Sequence, residues 1–217
     1  MSAPAPERYP GYDVLDKRQT MSWDRATRLV VDRRLATPRE PRFCSGAEWE
    51  TLKAVCARIL PQPADRPPVP VAALLDATLF ENQTQGFRQG SLPYDREAWR
   101  RGLAALDAEA QSAFGTPFAE LQPDDQDLLL GRAQKGELTG PGWGDMKSEE
   151  FFDRRVLADI PACYYSHPTA WSEIGFGGPA SPRGYVRMEL NRRDPWEAIE
   201  AHPGSVDEVR RKNRHVG

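Results

Sequence analysis

Few groups in this sequence can do chemistry, and they are scattered. His167 precedes Glu173 with Trp171 between them, so an imidazole and a carboxylate can share a pocket as a general acid–base pair. The competing reading is that Glu173 accepts hydrogen bonds from backbone amides, since an irregular buried chain needs such partners. Cys44, Cys56 and Cys163 form neither a CxxC pair nor a zinc spacing, and His167, His202 and His215 lie far apart. They read as thiols and incidental imidazoles; whether Cys44 and Cys56 are bonded is left open. Gly175-Phe176-Gly177-Gly178 has neither the spacing nor the strand–helix context of a phosphate cradle. No GxSxG or HExxH occurs. Asp65, Asp107 and Asp159 read as anchors of loops and helix ends, with Arg155 and Arg183 as available ion partners. The run Arg210, Arg211, Lys212 and Arg214 has a nucleic-acid reading. No aromatic platform accompanies it, so a basic helix end is the better account. The expectation is a chain with no catalytic, cofactor-binding or metal set of its own.

Aromatic residues are the sequence's stronger signal. Phe151, Phe152, Val156, Leu157 and Ile160 recur at helical spacing, with Ser148 the expected cap and Glu149 and Glu150 supplying negative charge to the first turn. Pro161 predicts a kink or an end near Ile160. From Ser166 onward, Pro168, Gly175, Gly177, Gly178, Pro179, Pro182 and Gly184 argue against regular structure. Across this change lie Tyr164, Tyr165, Trp171, Ile174, Phe176 and Tyr185. Rings on non-repetitive backbone need shelter, either in the chain's own helices or against another protein. Tyr164, Tyr165, Trp171, Phe176 and Tyr185 are therefore the candidate partner-interface residues.

The positioning elements are predicted to be helical. Ser45 and Glu48 have capping-box spacing before Trp49, Leu52, Val55, Cys56, Ile59 and Leu60. Pro70 opens a second helix with Val71, Leu74, Leu75 and Leu79. A third starts at Pro93 or Asp95 and carries Trp99, Leu103 and Leu106; a fourth follows Pro123. Ser22 is the expected cap of a helix to Leu35, and Asp194-Pro195 and Ser205 are the expected starts of two C-terminal helices. No strand pattern competes. The fold class is all-α: an irregular bundle of about five to seven helices with long Pro/Gly-rich loops and extended N- and C-terminal arms. The expected segments are an arm with one helix at 1–42, a helical body at 43–185 and a helical tail at 186–217.

Composition narrows the function classes. The 217 residues are 39% hydrophobic with 20 prolines, and mean hydropathy is -0.66. Six Trp, six Tyr and eight Phe nonetheless require a core, so disorder is excluded. A net charge of -3 gives no general attraction to nucleic acid or anionic lipid. There is no apolar run long enough for membrane insertion, and no h-region near the start.

A family resemblance follows from specific residues in order. Ala57-Arg58-Ile59-Leu60-Pro61, Tyr94, Gly102-Leu103, Leu106-Asp107, Phe118, Leu121, Gln126 and Phe151-Phe152 lead to the most specific run. That run is Tyr164-Tyr165-Ser166-His167-Pro168, Trp171, Ile174-Gly175-Phe176, Gly178-Pro179, Pro182 and Gly184-Tyr185. Together they resemble the gluconate 2-dehydrogenase subunit 3 family over roughly residues 45 to 185. The resemblance implies a cofactor-free small subunit beside a large FAD-bearing flavoprotein of the glucose-methanol-choline (GMC) type, often with a cytochrome c subunit. It implies help with folding, solubility or export of a partner that oxidises sugars, sugar acids, glycosides or polyols. Family members frequently carry a twin-Arg export signal, and here the Met1 to Pro41 arm stands in its place. A cytoplasmic complex is therefore expected, with both extensions clasping the partner. The rival classes are a stand-alone enzyme using His167 and Glu173, and a nucleic-acid or regulatory adaptor using the basic tail.

Overall fold

The chain is all-α; some of its helices begin at a side-chain cap, and others open at Pro70, Tyr94, Gln122, Lys147 and Ser205 with no such bond. In the computed structural model the described residues are 7–64, 66–82, 92–179, 184 and 193–216. Among them are nine α-helices, three short 3-10 turns, one π segment and no strand. Contacts divide the chain into two units: Thr37–Tyr164, and Met1–Ala36 together with Tyr165–Gly217.

In the unit Thr37–Tyr164, α2 (Gly46–Ile59) has the expected capping box, with Ser45 accepting from the Glu48 amide and Glu48 accepting from that of Ser45. α2 packs against α3 (Val71–Phe80), α4 (Asp95–Phe114) and α5 (Pro123–Gln134). Leu52 and Val55 of α2, Trp99, Leu103 and Leu106 of α4 and Leu129 of α5 are buried. Asp107 holds this packing by accepting from the Thr51 hydroxyl at 2.9 Å and the Phe118 amide at 3.1 Å. Its reading as an anchor holds; Asp65 and Arg183 lie outside the described residues.

The helix from Ser148 departs from expectation. It runs as α6 (Ser148–Phe151), a π segment (Phe152–Val156) and α7 (Leu157–Tyr165), passing through Pro161 without ending. Pro161 has no N–H to give the Leu157 carbonyl and would crowd it in a regular helix. The wider π turn comes immediately before Leu157 and re-aims the backbone there. The π segment also turns Arg155 inward, where it meets Asp95 at 2.8 Å and Asp159 at 3.6 Å. Ser148 is the first helical residue rather than the cap, and its buried hydroxyl finds no partner among the described residues.

The second unit is built from the two ends of the chain. Asp13 caps a 3-10 turn over Val14–Gln19, within the N-terminal arm. α1 (Arg25–Leu35) is capped by Asp24, accepting from the Thr27 amide at 2.7 Å, and not by Ser22. α8 (Pro168–Glu173) forms where the sequence argues against regular structure. Pro168 suits a first helical turn, so it starts this helix instead of breaking it. α9 (Val206–Asn213) forms as expected, whereas residues 194–200 make turns and no helix.

Candidate partner-binding surface

Trp171 is the fixed point of the unit made by the chain ends. α8 carries it, and its indole N–H donates to the Tyr165 carbonyl at 2.6 Å. The ring packs with Tyr12, Val14, Trp23, Val31 and Val216 in one apolar cluster, with Tyr9, Leu15 and Ala198 against it. Arg34 lies over the ring at 5.5 Å and donates to the Ser166 carbonyl at 2.9 Å. Half-burial of that guanidinium pushes its pKa below the usual arginine range.

Glycines let the N-terminal arm come this close. Gly175 has φ +68°, and a Cβ there would meet the Tyr9 ring at 2.5 Å. The indole of Trp23 donates to the Gly177 carbonyl at 3.4 Å, and the Tyr12 hydroxyl to that of Phe176 at 3.5 Å. The C-terminal tail joins through Asn213, whose amide donates to the carbonyls of Pro10 and Ile199 at 3.1 and 2.9 Å. Lys17 is fully buried and donates to the Trp196 carbonyl. The arms thus spend Tyr12 and Trp23 on their own chain, not on a clasp around a partner.

This packing sorts the candidate interface residues. Trp171 and Tyr164 are 3% and 5% exposed, so each is a core residue of its own unit. Tyr165, Ile174 and Phe176 are 50%, 45% and 38% exposed. Phe176 meets the Trp171 ring edge-on at 5.8 Å, which fixes its orientation while leaving one side outward. Tyr185 lies outside the described residues.

The rival chemistries find little geometry. His167 is the N-cap of α8, its Nδ1 accepting from the Thr169 amide at 3.3 Å, while Glu173 is the helix's last residue. Six residues of helix separate them by about 9 Å along the axis, so they do not meet as a dyad. On the tail, Arg210 pairs with Asp207 at 3.1 Å and Lys212 with Glu208 at 2.5 Å. Acidic groups in the first turn and basic ones in the last complement the α9 dipole. Cys44, Cys56 and Cys163 are unbonded. Burial raises all three thiol pKa values, that of Cys163 to about 12, which leaves them poor nucleophiles. Among the described residues no group of three His, Cys, Asp or Glu side chains can hold a metal ion, and no helix is long and apolar enough to cross a membrane.

Two structural residues escaped the sequence reading. Asp76, buried in α3, accepts from the amides of Arg42, Phe43 and Cys44 at 2.7, 3.1 and 2.8 Å. A single carboxylate inside VAALLDATLF was the available signal. Arg34 had no signal, because its partners are distant in sequence.

Fold and surface together describe a helical protein that keeps part of an aromatic cluster outward beside a self-packed tryptophan. Residues 46–178 match the family model described as gluconate 2-dehydrogenase subunit 3, which is more than half of the chain. The chain belongs to that family. Comparison with curated proteins and with solved structures gave no match.

Proposed function

We propose that this chain is the small, non-catalytic subunit of a dehydrogenase complex. It binds, stabilises and helps fold a large FAD-dependent subunit of the GMC type, which oxidises a sugar, sugar acid, glycoside or polyol. FAD belongs to that large subunit, and a cytochrome c subunit can complete the assembly. Family membership supports the accessory role.

One observation carries the reading to particular residues. The family segment closes on a stretch whose Trp171 is sealed by the chain's own arm while Tyr165, Ile174 and Phe176 remain outward. Aromatic groups held rigidly beside apolar ones are where interface energy concentrates. An obligate interface buries about 2,000 Å² or more, so these three form the centre of a larger contact. A binder that engages only the folded flavoprotein stabilises it by mass action and needs no chemistry of its own.

Affinity purification of the tagged chain from its native source tests this. Co-elution of a large polypeptide with a yellow flavin chromophore is expected. Elution of the chain alone, or with nucleic acid, would overturn the proposal.

A further inference from the structure

The unit Thr37–Tyr164 contains a groove that the proposed surface does not use. Its volume is about 400 Å³, it is open to solvent, and it is mainly apolar. α2 contributes Trp49, Cys56 and Ala57, and the chain from Pro68 to Val71 forms the wall. That wall is rigid for two reasons. The Gln62 amide donates to the Val69 carbonyl at 2.9 Å and accepts from its N–H at 2.7 Å. Pro68 and Pro70 on either side have fixed φ. Since the backbone groups of Val69 are already satisfied, an occupant cannot add to this edge as a strand and must be held by side chains.

Charge indicates what the occupant carries. Lys53 pairs with Glu50 at 2.7 Å and lies 5.9 Å over the Trp49 ring. Arg39, on the same groove, is exposed and makes no ion pair or hydrogen bond with the described residues. An uncompensated guanidinium beside an apolar floor selects a carboxylate attached to apolar groups. Small-molecule sites enclose most of their ligand, and this open trough does not. A pre-formed wall lowers the ordering cost of seating an extended chain.

We infer that the groove receives an extended, acidic and apolar segment of the large flavoprotein, with its apolar side chains on Trp49 and Pro68 and a carboxylate on Arg39. The inference rests on the accessory-subunit reading and adds a second contact to it.

Photo-crosslinking of the full-length chain in the co-purified complex tests both separately. A benzophenone side chain is placed at exposed Ala57 in one preparation and at Tyr165 in another. Crosslinks from Ala57 to an acidic, apolar segment of the flavoprotein are expected. Arg39→Glu should weaken the complex about tenfold or more, and Arg39→Lys should restore most of the affinity. Crosslinks from Tyr165 with none from Ala57 would overturn the groove assignment and leave the accessory role standing. Crosslinks from Ala57 only to a small molecule or to a second copy of this chain would also overturn it. No flavoprotein crosslinked at either position, and none co-purifying, would sink both.

Discussion

Trp23 and Gly178 are fitted to each other. A Cβ on Gly178 would stand 3.0 Å from the Trp23 ring and 3.3 Å from the Trp171 ring, and Gly178 has φ +71°. The N-terminal arm therefore depends on a residue at the very end of the family segment. Gly178→Ala should lower the stability of this unit by about 1–3 kcal/mol, through backbone strain and displaced rings. Gly46→Ala is the control: it opens α2, has empty space around it, and should be neutral or stabilising by up to about 1 kcal/mol. Urea titrations followed by tryptophan fluorescence would separate the two. Equal midpoints for both variants would contradict the fit.

Asp76 is the corresponding anchor in the other unit. Asp76→Ala would leave the amides of Arg42, Phe43 and Cys44 without their shared acceptor. A loss of about 3 kcal/mol or more is expected, because each buried donor keeps its desolvation cost. Asp76→Asn retains an acceptor oxygen and should fall between. Denaturant unfolding of the three proteins checks the order.

Asp159 gives the fold a pH signature. Burial is the largest influence on its carboxyl and raises its pKa, opposed by the indole N–H of Trp99 at 2.8 Å and by Arg155; Asp95 raises it further. A carboxyl raised in the folded state binds its proton more tightly there than in the unfolded chain. Its contribution is therefore full below the unfolded carboxylate pKa and is lost as pH rises through the folded value. Asp159→Asn cannot titrate. The stability of the native protein relative to this variant should grow as pH falls from neutrality into the carboxylate range. A pH-independent difference would contradict the assignment.

Tyr165 and Trp171 should separate binding from folding. Tyr165→Ser or Phe176→Ser is expected to weaken the complex by about 1–2 kcal/mol, roughly tenfold in Kd, with little loss of stability. Trp171→Ala should destabilise its unit by about 3–5 kcal/mol, because it empties the centre of the apolar cluster. Calorimetric titration beside thermal unfolding distinguishes the two effects. Equal losses of stability in all three variants would mean that the outward rings are structural.

The bundle helices were legible because their signals are local. The capping box at Ser45 and Glu48, Pro123 in the first turn of α5, and Gly115 at the end of α4 stand next to the residues they govern. α8 is not legible locally because Pro168 and Gly175 are both residues that break helices, though here one starts the helix and the other follows its end. The self-packing of the arms could not be read locally. Trp23 and Gly177 are 154 residues apart, so only the folded chain shows that Trp171 is covered from within. That is why the four described candidate rings divide into buried and outward ones, a distinction that residue type alone does not carry.

The most direct measurement is expression of the large flavoprotein with and without this chain, reading soluble yield and bound FAD per polypeptide. Co-expression should raise both, and the two proteins should elute together. A flavoprotein equally soluble and equally loaded with FAD when made alone, and eluting separately from this chain, would contradict the accessory role.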